Sequence, residues 1–128
     1  MIDLETIGKA LKLLRHAAPH ATVIVSGSYA RGNATDESDL DLLVVEPGPV
    51  ARRFESARLR SVLGVFEIPV DIIVITEQIF EEWKMTPGMI ALEPAQPSRP
   101  YPVVHFGLGI WRLLARQRAA SGLTHHLQ

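Results

Sequence analysis

Apolar residues recur at helical spacing at the start of the chain: Leu4, Ile7, Leu11 and Leu14 fall on one face, with Asp3 placed to cap the helix and Pro19 just beyond its end. The period then changes. "ATVIVSG" (21–27) is a short β-branched run stopped by glycine, which predicts a strand. "SYARG" reads as a short helix, and "NATDES" (33–38) as a polar loop in which Ser38 caps the turn. "DLDLLVV" (39–45) is a second expected strand, closed by "EPGP", and "IPVDIIVIT" (68–76) a third. Between them residues 51–63 form an expected helix. Phe54, Leu59, Val62 and Leu63 are available to the core, and Arg52, Arg53, Arg58 and Arg60 lie on the wetter side. Thr76 caps a further short helix, 77–83.

After Met85 the pattern breaks. Residues 85–102 hold Pro87, Pro94, Pro97, Pro100 and Pro102, so residues 89–104 are expected to be the least regular part of the chain. A last helix is expected across 108–119. Charge shifts at the same place. Residues 1–84 carry 9 Lys/Arg against 13 Asp/Glu, net −4, and residues 85–128 carry 4 against 1, net +3. The chain therefore divides into a core at 1–88 and a Pro-rich segment with a C-terminal helix at 89–128, the latter part of the same domain or an appendage.

With 128 residues, 47% hydrophobic, the chain is long enough for one domain with a real core. A net charge of −1 gives no electrostatic footprint for nucleic acid or a membrane surface. Without cysteine there is no disulfide and no thiolate metal site. Asp3 and Glu5 stand where a secretory signal would carry positive charge, and no apolar run reaches the roughly 18–20 residues of a membrane span. A cytoplasmic location is expected. The five histidines, His16, His20, His105, His125 and His126, show no ligand spacing.

Two acids interrupt the second strand. Residues i and i+2 of a strand share a face, so Asp39 and Asp41 are expected side by side, about 6–7 Å apart, where they repel. Hard carboxylate oxygens on a rigid backbone would suit Mg²⁺. Asp71 repeats the anomaly as one acid in the most apolar stretch. Taken singly, Asp39 is as well explained as a turn residue, and Asp71 has the alternative of an edge-strand or a paired acid. Three acids near the ends of successive strands favour a shared metal, and Gly27 with Ser28 opens a phosphate-accepting turn before them.

The runs "GSYARG", "SDLDL" and "VDIIVIT" in this order resemble the minimal nucleotidyltransferases of the DNA-polymerase-β-like superfamily, over roughly residues 5–88; "EEWKMTPG" (81–88) resembles the end of such domains. The resemblance implies an α/β (α+β) fold, a small mixed sheet with helices on one side. It gives Gly27 and Ser28 to the nucleotide phosphates, with Arg31 facing them or lying at the surface. It makes Asp39, Asp41 and Asp71 ligands of two Mg²⁺ ions, with Asp71 also the base for an attacking hydroxyl. ATP would be the substrate. Small single-domain members are mostly antitoxins paired with a HEPN-domain ribonuclease toxin, and some transfer AMP to a tyrosine of it. The implied function is AMP transfer to such a toxin. Two alternatives stay open: a non-catalytic antitoxin that acts by binding, and a small-molecule transferase of the aminoglycoside type. "MIALEPAQPSRPYPVVHFGLG" departs from the family's pattern. In the C-terminal helix, Trp111 and Leu114 would serve as core or as partner contacts.

Overall fold

The computed structural model describes residues 1–110 and 112–113. Helix α1 spans Leu4–Ala17, strand β1 Thr22–Ser26, helix α2 Gly27–Arg31 and strand β2 Leu40–Glu46. Helix α3 spans Arg52–Val62 and runs into a 3₁₀ turn, Leu63–Phe66. Strand β3 (Val70–Thr76), helix α4 (Glu77–Met85) and strands β4 (Ile90–Glu93) and β5 (Val103–Phe106) follow. The five strands form one mixed sheet in the order β3-β2-β1-β5-β4. β1 is antiparallel to β2 and parallel to β5, and β2 is parallel to β3.

The caps follow the sequence. Asp3 Oδ1 accepts from Thr6 N at 2.7 Å to start α1, and Thr76 Oγ1 accepts from Ile79 N at 3.3 Å to start α4. In the loop before β2, Ser38 Oγ accepts from Thr35 N at 2.8 Å. Tyr29 is buried, and its hydroxyl accepts from Ile2 N at 2.9 Å, tying α2 to the start of the chain.

Strand alternation builds two cores. Val23, Val25, Leu40, Leu42, Val44, Ile72 and Val74 meet Ile7, Leu11 and Leu14 of α1 and Leu59 of α3 on one face. Ile24, Leu43, Val45 and Ile75 meet Phe80 and Trp83 of α4 on the other. The two long helices thus share one side, as expected, while short α4 takes the opposite one. Its apolar stripe matches a sheet whose β2 is buried on both faces.

Two expectations are corrected. Phe54 is 81% exposed, because Leu59 and Leu63 fill the space beneath α3. Residues 89–104 are not irregular throughout. Ile90–Glu93 pairs antiparallel with Val103–Phe106, and β5 joins the sheet beside β1. Pro94, Pro97, Pro100 and Pro102 lie in the connection, where no ladder N–H is needed, and the Pro102 carbonyl accepts from Val25 N at 3.1 Å. Arg99 folds that connection by donating to Glu93 Oε2 at 3.1 Å and to the Pro94 carbonyl at 2.7 Å. Amides of β5 should therefore exchange as slowly as those of β2. Hydrogen-exchange mass spectrometry checks this, and exchange of 103–106 at the rate of a surface loop would contradict it. Of the expected last helix, residues 108–110 and 112–113 are helical; Trp111, Leu114 and the positions after it lie outside the described residues. Among the described residues no helix is long and apolar enough to cross a membrane.

At the end of β2, where the sequence shows only a turn, the structure places a carboxyl pair. Glu46 hydrogen-bonds to Glu55, and Arg58 clamps Glu55 through Nε at 2.6 Å and Nη2 at 2.8 Å while also reaching the Ala17 carbonyl at 3.0 Å. Glu46 Oε2 is buried without a hydrogen-bond partner. Burial, then the hydrogen bond and charge of Glu55, push the Glu46 carboxyl up to about 7. Arg58 holds Glu55 below its usual range. Between the ordinary carboxylate range and about pH 7 the native chain keeps a proton that the unfolded chain has lost. Its stability therefore falls as pH rises through that window. Glu46→Gln should flatten this slope and stabilise the fold at pH 8 by on the order of 1 kcal/mol. Urea denaturation at pH 5.5 and pH 8 measures it; equal slopes in both chains would refute it.

Candidate active site

The site grows out of strand register. Ser26, the last residue of β1, stands opposite Asp41, and Asp41 stands beside Asp71 in the parallel β2–β3 ladder. The ends of β1 and the starts of β2 and β3 thus meet at one edge of the sheet. Neighbouring strands are about 4.8 Å apart, so the two acids are lateral neighbours. They also share a face. Leu40, Leu42, Ile72 and Val74 belong to the α1–α3 core, which turns Asp41 and Asp71 toward the α4 side. Asp41 is half-buried, and the Asp71 side chain is 44% exposed.

Gly27 completes the pocket around Asp41. Its φ is +67°, and a Cβ there would overlap Asp41 Oδ2 and come within 3.0 Å of Cγ. Only glycine leaves room for the carboxylate at this turn. Ser28 follows in α2, half-buried, and Arg31 ends that helix, exposed. The backbone of α2 closes on Gly32, φ +79°, whose N–H donates to the Ser28 carbonyl at 3.0 Å.

Asp39 departs from its expected place. It precedes β2, which begins at Leu40, and it is exposed in the loop. Among the described residues no three acids or histidines stand close enough to make a ready-made metal centre. The expected convergence of Asp39, Asp41 and Asp71 within a few ångströms is therefore not found. Asp71 instead has a basic neighbour, Arg60 of α3, whose Nη2 is 3.9 Å from Asp71 Oδ1. No local sequence pattern encodes this pairing; Ser56 and Arg60, four residues apart, fall on one helix face.

The donor set nonetheless fits a divalent cation. Asp41 and Asp71 offer hard oxygens from adjacent rigid strands, Gly27 leaves the Asp41 carboxylate its space, and Asp39 stands two residues before Asp41. Beyond Asp71 on the same strand, a cleft of about 240 Å³ is lined by Ile73, Ile75, Ile79 and Trp83, with Arg52 and Glu82 at its polar wall.

Residues 7–92 match the family model described as a nucleotidyltransferase domain. A curated relative named "Putative protein adenylyltransferase MJ0604", from Methanocaldococcus jannaschii, is 35% identical over 60 residues. That alignment covers 47% of this chain and 58% of the relative. Among solved structures, one titled as a putative nucleotidyltransferase from Sulfolobus solfataricus aligns with a TM-score of 0.49 and 27% identity, covering 62% of this chain and 71% of that one.

Proposed function

The chain belongs to the nucleotidyltransferase domain family, and from that premise we propose that it transfers AMP from ATP to a hydroxyl of a partner protein, a HEPN-type toxin that it would neutralise as an antitoxin. The observation that carries the reading is the row Ser26–Asp41–Asp71 with the Gly27 cradle beside it. The protein acceptor draws support from the name of the Methanocaldococcus relative.

Gly27 and Ser28 would receive the nucleotide's phosphates at the end of β1, with Arg31 nearby on α2. Asp39, Asp41 and Asp71 would hold Mg²⁺. That ion, when bound, supplies positive charge to the phosphate oxygens and to the departing pyrophosphate. The acceptor hydroxyl oxygen attacks the α-phosphorus, the bond to the β-phosphate oxygen breaks, and Asp71 takes the hydroxyl proton. Positioning by the strand register carries most of the acceleration. The cleft along Ile73 and Ile75, further along the strand that carries Asp71, would take the apolar part of an acceptor side chain.

Co-expression with the protein encoded beside this chain tests the partner. The reading expects the two to co-purify, and the partner to gain the mass of one AMP when ATP and Mg²⁺ are added. Co-purification and neutralisation without added mass would favour an antitoxin that acts by contact. Neither association nor added mass would move a small-molecule acceptor to the front.

A further inference from the structure

Arg60 lies on the wetter side of α3, yet its guanidinium is directed to the acid edge. Nη2 is 3.9 Å from Asp71 Oδ1 and 3.4 Å from Ser56 Oγ. Ser56, one helical turn earlier, donates to the Ile72 carbonyl at 2.9 Å. Helix α3 is thereby pinned to β3 at the residue next to Asp71, and the pinning hydroxyl braces the guanidinium. The contact with Asp71 is longer than a charge-assisted hydrogen bond, and both side chains are about half exposed, 53% and 44%. A pair this loose can exchange one cation for another.

Asp41 and Asp71 stand side by side in the ladder, and like charges so placed destabilise a sheet. A monovalent cation at Asp71 relieves that repulsion. A divalent ion would need the same oxygens. Resting on the reading that Asp41 and Asp71 take a divalent cation, we infer that Arg60 is a placeholder for that ion. It pairs with Asp71 while the ion is absent and gives up the carboxylate when the ion binds. Arg60 is in this sense a positioning residue: it acts through Asp71, and it sets how tightly the acid edge takes its metal.

The test is Mn²⁺ binding followed by electron paramagnetic resonance on the full chain without nucleotide. Wild type, Arg60→Gln, Arg60→Lys, Asp71→Asn and the Arg60→Gln/Asp71→Asn pair are compared. Arg60→Gln should bind Mn²⁺ about three- to fivefold more tightly, the scale of a partly exposed ion pair. Arg60→Lys, which keeps the charge, should stay within about twofold of wild type. With Asn at position 71 the Arg60→Gln gain should vanish. An Arg60→Gln affinity equal to or weaker than wild type overturns the inference. So does a gain that persists in the Asp71→Asn background, since the charge would then act without Asp71. In both cases the metal site itself still stands. If no chain binds Mn²⁺, the metal-site reading falls and the inference falls with it.

Discussion

Asp41→Asn is expected to remove nucleotidyl transfer by about 10²–10³-fold or more, the loss that follows from deleting one oriented charge at a polar reaction centre. Asp41 holds the middle of the row, opposite Ser26 and beside Asp71, and its carboxylate fills the space that Gly27 leaves open. Glu46, the other acid of β2, lies at the opposite end of the strand, and Asp39 precedes it. The fold should survive. Asn has the same shape, and removing one of two laterally paired like charges should leave stability unchanged or raise it by up to about 1 kcal/mol. Loss of transfer with an unchanged denaturation midpoint is the expected combination. Full transfer by Asp41→Asn would remove the acid from the chemistry.

Gly27→Ala should damage both stability and activity. The added methyl meets the Asp41 carboxylate, and the residue must also hold φ at +67°. Left-handed backbone at a non-glycine costs about 1–2 kcal/mol, and a displaced carboxylate adds to it. An ångström of misplacement at a reacting centre can cost about 100-fold in rate. The expected result is a destabilisation of about 1–3 kcal/mol with transfer reduced at least about tenfold. Gly48→Ala is the control. It has φ +79° but nothing within 4 Å of its Cβ, so it should lose only the strain and keep its activity. Equal activity losses in the two variants would show that strain, and not the contact with Asp41, is responsible.

Much of this edge was legible in the sequence, because period and composition there agree. β1, β2 and β3 are short apolar runs with clear ends, and an acid inside such a run stands out. The shared face of Asp41 and Asp71 follows from strand alternation once β2 and β3 pair in parallel. The D-x-D run looks continuous in sequence, but the ladder starts at Leu40, so Asp39 precedes the strand. β4 and β5 were hidden by prolines whose positions, between the strands and not within them, only the fold reveals. Phe54 looked like core because sequence does not say which face of α3 is filled first. Glu46 with Glu55 and Asp71 with Arg60 were invisible, because each pair joins a strand to a helix 9 to 11 positions away, through side chains whose direction no local pattern encodes.

The most direct test of the central claim follows one phosphorus atom. The chain is incubated with Mg²⁺, the partner protein and ATP labelled either at the α- or at the γ-phosphate. Label from the α-position should appear on the partner, label from the γ-position should leave as pyrophosphate, and both Asp41→Asn and Asp71→Asn should abolish the labelling. Transfer of the γ-label, or α-labelling undiminished in the Asp41→Asn/Asp71→Asn double variant, would contradict the assignment of this acid edge to nucleotidyl transfer.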